Sequence, residues 1–588
     1  METEKTFSIN AKTCTLKYNS QESKGTIFGN GIKYVIPIYQ RPYSWTDEQI
    51  RKFLSDIFLS YWGNEGDVIE DPMFIGTMQL SVKNNHSVQD IIDGQQRLTT
   101  FLILLKVLKQ KFPNSEELKS VSLDWLSTRV SNGQQQEYLS QVIQADLTFN
   151  DETLNPYLKN ASLINQIIEE ETKGENVSQI NFEVERFVKY LLSNVYFVVI
   201  ETKALLSKTI QIFKTINTTG LDLNGGDIFK INMFDYLRAK KGKDEQAFEE
   251  ISKLYETIDE KNKQAKYDVT NINEILSIYQ YILIAKNNLP VVLYGYGTDT
   301  FYEKLFDTIF NKPQEHFKNN ISNLDLSLEE ILRVIEARYE WENKWYESAE
   351  DMCCYELIRH SRYGRFADNL PTIFIFANPN ANRFDFIKKL AKLYFIYSVR
   401  FMKSIYEIRD FSYKLIQEII SKSPDEVMQI INNKIGNAGT HNQGYYNLNY
   451  FLTENITENY LRKKLICLLS AMLEEDFTIS EEKEIISLRE KLFRTKIDIE
   501  HIQSFGEKEE IPIEWGDEIN SIGNLMVLEE SLNRSIQHKP YSTKIIRYPT
   551  SIFEVVRNQI SNFPFWDLAN CKIRKQKETQ KLLNYIFN

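Results

Sequence analysis

Between residues 496 and 536 the chain reads KIDIEHIQSF, then after a polar loop EINSIGNLMVLEESLNRSI, and this stretch limits the local fold to very few arrangements. The β-branched runs IDIEHI and LMVLE are strand-like, and ESLNRSI carries helical spacing. Glu500 and His501 end the first strand, Asn524 opens the second, and Asn533 lies on the helix that follows. A strand, a loop, a strand and a helix therefore bring an acid, a histidine and two asparagines into one small unit. Carboxylate and amide oxygens suit a hard divalent ion such as Mg2+, which keeps several waters. A histidine beside them titrates near neutral pH and can accept a proton from water. One ion and one base suffice to hydrolyse a phosphodiester. Singly, these residues are more often a half-buried histidine, turn residues and helix caps. The other histidines with no partner at ligand spacing, His86, His316, His360 and His441, are read as structural.

The strings EHI, GNL and LN resemble the HNH (His-Me finger) endonucleases, in the form found in GmrSD-type restriction enzymes. His501 and Asn524 are 23 positions apart and Asn524 and Asn533 nine, spacings usual for such sites. The resemblance implies His501 as general base, Glu500 and Asn533 as metal ligands, and Asn524 as the residue holding the histidine loop. It also raises Lys544, His538 and Arg534 as DNA contacts, although a solvated helix end explains them equally well. The family commonly has a proline where this chain has Ser504, which bears on the loop conformation.

A second constellation comprises IPIYQRPYSW (36–45), FIGTMQL (74–80), DGQQRLTT (93–100) and IFKTINTTGLDLNGGDIFK (212–230). Gly94 permits a tight turn, and Arg97 falls in the first turn of a helix, where N–H groups favour anions. Arg41 adds a second forked cation, and two arginines can grip a polyphosphate bidentately. No GxxxxGK[ST] loop occurs. These strings resemble the N-terminal domain of GmrSD and related phage-defence proteins, whose fold is similar to ParB and sulfiredoxin and whose DGQQR box binds and hydrolyses nucleoside triphosphates. The resemblance implies Asp93, Gly94, Gln95, Gln96 and Arg97 as the nucleotide box, with Tyr39, Gln40 and Arg41 facing it. Asn217, Thr219 and Gly220 would lie nearby, and Asp227 would open the next helix. Taken alone, DGQQRLTT reads equally well as an ordinary helix entry, and Tyr43 and Trp45 are more often core than a base-stacking cage.

The chain has 588 residues, long enough for about three to four domains. We expect an α+β, mostly helical multidomain chain: a ParB/sulfiredoxin-like α/β domain over 1–240, a helical middle over 241–480, and a ββα-metal nuclease domain over 481–588. In the middle segment, NLPVVLYGYGTD, NLPTIFIFANPN and NKIGNAGTHNQG read as turns, and the last hundred residues read as short strands and loops. KYVI, entering the proline-containing segment, reads as an edge or loop-entering strand. Five scattered cysteines give no disulfide framework, no apolar run approaches a membrane span, and a cytoplasmic location is expected.

A net charge of −11 excludes a basic coat for nucleic acid, yet residues 534–588 hold ten Lys or Arg against three acids. That segment is expected to carry the DNA path. The expected function is an anti-phage endonuclease cutting modified foreign DNA, with Mg2+ and a nucleoside triphosphate as cofactors and a homodimer as one way to cut both strands. The alternatives are a nucleotide-switched, ParB-like DNA-binding or regulatory protein with a degenerate nuclease, and a nuclease acting on RNA.

Overall fold

The computed structural model describes residues 8–17, 25–27, 31–37, 40, 42–63, 68–82, 87–130, 134–144, 146–147, 155–173, 182–203, 225–242, 246–310, 315–317, 324–361, 367–400, 405–440, 447–453, 459–504 and 514–588. The chain forms two compact units, 1–257 and 258–588. Together they give an α+β chain that is mostly helical.

The first unit is built on a mixed seven-stranded sheet. Its strands are β1 (Ser8–Thr15), β2 (Gly25–Thr26), β3 (Lys33–Ile36), β4 (Met73–Val82), β5 (Val88–Asp93), β6 (Leu126–Thr128) and β7 (Val195–Lys203), in the order β2-β1-β7-β4-β5-β3-β6. The run NVYFVVIET thus returns to the sheet begun by the first hundred residues: β7 pairs antiparallel with β1 and parallel with β4. β3 is not an edge strand, because the three-residue β6 pairs along its outer side. The prolines flanking this segment, Pro37 and Pro42, fall after the strand and remove no ladder donor from it.

Two helices follow the strands as their sequence signals require. The helix Asp47–Trp62 starts at Thr46, whose backbone N–H donates to Gln49 Oε1 at 2.7 Å in a capping box. The helix Gln95–Lys111 is buried almost all round from Leu98 to Leu108, so it is a core helix. Phe101 packs edge-on against Phe53 and Phe197, joining the two helices to β7.

The described residues of the second unit from Ile272 to Arg489 are mainly helical, with short turns and 3-10 segments between the helices, and a two-stranded antiparallel sheet follows, β8 (Ile497–His501) with β9 (Leu525–Glu529). Two stretches read as turns are helices, Asn369–Ala377 and Pro424–Thr440. Pro371 is the third residue of its helix, where no intrahelical N–H is required. Gly439 sits where a Cβ would come 3.0 Å from the Phe587 ring, so its lack of a side chain serves helix packing. The C-terminal segment likewise ends in a 20-residue helix, Leu568–Phe587, capped by Asp567. All five cysteines are free and buried, and among the described residues no helix is long and apolar enough to cross a membrane.

Candidate nuclease and nucleotide sites

Strands β8 and β9 pair in register from Ile497↔Glu529 to His501↔Leu525, and the helix Glu530–Ile536 starts directly after β9. This places His501 at the loop end of the hairpin, opposite the first residue of β9. Asn524 is fully buried and bonds both ways to the main chain of Gln503: Gln503 N–H donates to its Oδ1 at 2.7 Å, and its Nδ2 donates to Gln503 O at 2.9 Å. A second bond from Nδ2 reaches Ile519 O at 2.9 Å. The amide thus pins the residues that follow His501 in the absence of the proline common in the family.

His501 is half-buried, and its Nε2 lies 3.2 Å from Asn520 Oδ1. Burial first, then the positive charges of Lys463 and Lys544, push its pKa below 6.5, against the Asn520 hydrogen bond. On the preceding strand position Glu500 is 2% exposed, and its Oε1 accepts from Lys544 Nζ at 2.6 Å and Tyr548 OH at 2.8 Å. Burial raises the Glu500 carboxyl even so. Lys544, a DNA contact in the sequence expectation, lies inside the fold. Its side chain is 0% exposed, and its ammonium bridges Glu500 and His501 O, the latter at 2.6 Å.

One residue that sequence reasoning missed is Asp498. Asn533 Nδ2 donates to Asp498 Oδ2 at 3.2 Å, and Tyr460 OH donates to Oδ1 at 2.7 Å. Burial raises the Asp498 carboxyl, but Tyr460, the Ile499 N–H and Asn533 outweigh it and hold the acid below its ordinary value. The signal was present in DIEH, because residues two apart on a strand share a face. The two expected metal ligands each retain one oxygen without a hydrogen bond among the described residues, Asn533 Oδ1 and Glu500 Oε2. That donor set fits Mg2+, which needs only one or two protein oxygens beside its waters. No cluster of three or more His, Cys, Asp or Glu side chains suited to a metal occurs among the described residues.

The basic C-terminal segment is partly consumed inside the fold. Arg574 is buried, and its Nη1 donates to the carbonyls of Ile522, Gly523 and Leu525 at 2.7, 2.8 and 3.0 Å, fixing the loop before β9. Gly523 is required there because a Cβ would lie 2.3 Å from Cys571 O. Lys575 pairs with Glu518 at 2.9 Å and Lys581 with Glu474 at 2.6 Å. Arg534 and His538 are exposed, with Arg534 paired to Glu530.

In the first unit the DGQQR box sits at the join of β5 and its helix. Gly94 has φ +93, and a Cβ there would lie 3.1 Å from Thr77 O. Gln95 Nε2 donates to Gln40 Oε1 at 2.9 Å, and Gln40 Nε2 donates to Ile92 O at 2.7 Å. Gln96 clamps the PYS segment, accepting from Ser44 N–H at 2.9 Å and donating to Pro42 O at 3.0 Å. The three buried glutamines therefore staple the loop after β3 to the helix entry. Tyr43 is core, its hydroxyl 2.7 Å from Thr100 Oγ1, and Trp45 packs on Phe53. Arg97 and Asp93 remain partly exposed, 3.9 Å apart. Tyr39, Arg41, Asn217, Thr219 and Gly220 lie outside the described residues, as does the side chain of Asp227.

Arg97 Nη1 donates to Ile75 O at 2.8 Å by crossing the backbone at Gly76, where φ is +116 and a Cβ would sit 1.5 Å from that nitrogen. Gly76→Ala is expected to cost about 1–3 kcal/mol through backbone strain plus displacement of Arg97. Adding Arg97→Ala should recover the steric part and leave the φ part. Fully additive losses in denaturant titrations would contradict that close approach.

Comparison with known families fits this arrangement. Residues 25–234 match the GmrSD restriction endonuclease N-terminal domain, and residues 445–579 match the GmrSD restriction endonuclease C-terminal domain. The chain belongs to the GmrSD restriction endonuclease family. The C-terminal match contains β8, β9, the helix Glu530–Ile536 and the Asn524 clamp, and the N-terminal match contains the DGQQR box and most of the sheet. As a restriction endonuclease of this family it acts on DNA in phage defence. No curated protein matches the chain at a significant level.

Proposed function

We propose that the chain is a modification-dependent anti-phage endonuclease with an HNH-type site at β8–β9, a divalent-ion requirement and control by a nucleoside triphosphate at the DGQQR box. The observation that carries this reading is the arrangement at His501: Nε2 is occupied by Asn520, and Nδ1 has no hydrogen-bond partner among the described residues. His501 takes the proton of the attacking water at Nδ1. Asn533 Oδ1 and Glu500 Oε2 would hold the ion, with Asp498 orienting the Asn533 amide. When bound, a Mg2+ ion would supply charge stabilisation for the phosphate and the leaving oxygen. Lys544 and Tyr548 keep the Glu500 carboxylate fixed, and Asn524 fixes the loop behind the base.

In the first unit, Arg97 and Asp93 are the half-exposed charged pair of the box, beside a helix N-terminus that favours anions. Binding of a nucleoside triphosphate there is read as the control on cleavage.

Digestion of unmodified, glucosylated-hydroxymethylcytosine and phosphorothioated DNA, with and without Mg2+ and each nucleoside triphosphate, tests this reading. The expected result is metal-dependent cleavage of one modified substrate that responds to a nucleotide and loses that response in Arg97→Ala. Nucleotide-dependent DNA retention without nicking under any condition would instead favour a regulatory DNA-binding protein, and preference for RNA in competition would change the substrate class.

The depressed basicity of His501 gives this activity a pH signature. Burial and two nearby ammonium groups disfavour the imidazolium, so the base remains unprotonated below 6.5. The acid limb of kcat/KM is expected below pH 6.5 and should vanish with His501→Ala. An acid limb above that value would contradict the assignment.

A further inference from the structure

The hairpin fixes the backbone of His501 from two sides. Its main chain pairs with Leu525, and the next two residues are held by Asn524, just ahead of β9: Ile502 N–H donates to Asn524 O at 2.9 Å, and Gln503 is clamped by the Asn524 amide. What backbone fixation leaves undecided is the ring. Rotation about the two side-chain torsions can exchange which nitrogen faces outward, and a half-turn of the imidazole swaps Nδ1 with Cδ2 and Nε2 with Cε1.

Asn520 addresses that freedom. It ends the 3-10 turn Gly516–Asn520, and its Oδ1 lies 3.2 Å from His501 Nε2. The same oxygen accepts from Lys463 Nζ at 2.7 Å, with Lys463 on the buried face of the helix Tyr460–Met472. An ammonium can only donate, so the Asn520 atom facing it is the carbonyl oxygen. His501 Nε2 must then carry the hydrogen of its contact, and the neutral ring has its lone pair at Nδ1.

We propose that Asn520, anchored by Lys463, is a positioning residue for His501, holding the ring by Nε2–H so that Nδ1 is the nitrogen offered to the attacking water. This rests on the nuclease reading of His501, but its structural half stands without it. Asn520 touches no reacting atom in this scheme; it acts through the ring. A neutral amide serves here because it accepts from both the ring and the ammonium.

The test uses the full-length chain, labelled with 15N-histidine, as wild type, Asn520→Ala, Asn520→Asp, Asn520→Ser and Lys463→Met. His501 resonances are assigned by their loss in His501→Ala. Wild type and Asn520→Asp, which keeps an acceptor oxygen, are expected to show the Nε2–H tautomer at neutral pH, and Asn520→Ala a mixture. Cleavage by Asn520→Ala should fall about 10–100-fold in kcat with KM for DNA unchanged, the range seen when an orienting partner is lost. Asn520→Asp should recover most of it, and Lys463→Met should lie between. Should Asn520→Ala not fold, Asn520→Ser and Lys463→Met carry the same comparison. A retained Nε2–H tautomer and wild-type kcat in every folded variant would overturn the proposal, as would a loss in Asn520→Ala that Asn520→Asp does not reverse. A tautomer shift in a chain that cuts no substrate, wild type included, would defeat the nuclease reading and leave the positioning contact standing.

Discussion

His501→Ala is expected to lower kcat for DNA cleavage by about 100–10,000-fold, the usual contribution of a positioned general base. The fold should survive, because the β8–β9 ladder is made by the backbone and the Asn524 clamp engages Gln503, not His501. KM for DNA should change little, since the ring acts on water. Nucleotide binding at the other unit should be untouched. A single-turnover measurement with unaltered circular dichroism separates this outcome from unfolding. Cleavage within a few-fold of wild type would remove His501 from the chemistry and with it the HNH assignment.

The second large effect concerns stability. Lys544→Met leaves Glu500 buried against Tyr548 without its cation, and breaking a buried ion pair from one side costs about 3–5 kcal/mol. The carboxyl can escape part of this by taking a proton. Burial already raises its pKa above 4.5 with Lys544 present, and removing the cation raises it further. A group whose pKa is raised by folding stabilises below its unfolded pKa, and that contribution is lost as pH rises through the folded pKa. The Lys544→Met deficit should therefore be larger at pH 8 than at pH 5. Glu500→Gln in the same chain should recover much of it and flatten the pH dependence. Denaturation followed by a probe in residues 258–588 reads this directly, and a loss below about 1 kcal/mol at pH 8 would show that Lys544 and Glu500 do not form a buried pair.

The same lysine shows where sequence reading stops. A cation 43 residues after His501, in a segment with ten basic residues, reads as a phosphate contact on charge alone. Charge count cannot distinguish it from Arg574 or Lys575, which are used on carbonyls and on Glu518. Each is decided by which acceptor folding brings opposite it. Asp498 and Asn520 were overlooked for a related reason: one stood beside a more familiar Glu-His pair, and the other lay in a polar loop. Gln95 and Gln96, which the resemblance places in the nucleotide box, and Gln40 beside them direct amides to one another and to the backbone, a use that no motif spacing reveals.

Sequence signals and structure agree where local physics governs. Thr46 and Gln49 cap a helix, Asp93-Gly94 turns β5 into the next helix, and IDIEH and LMVLE alternate as a hairpin ahead of SLNRSI. Local reading failed at NLPTIFIFANPN and NKIGNAGTHNQG, where proline and glycine suggested turns. There a proline in the first helical turn costs no hydrogen bond, and the glycine beside Phe587 is favoured by packing.

The sequence by itself determined the family, the α+β class, and the order of Glu500, His501, Asn524 and Asn533, because element type and motif spacing depend on neighbours within a few residues. Only the tertiary structure decided that Lys544 is a buried counter-ion, that Asp498 holds Asn533, and that Asn520 meets His501. Those partners lie 44, 35 and 19 positions apart and meet only when burial pairs each charge or amide that would otherwise be left without water.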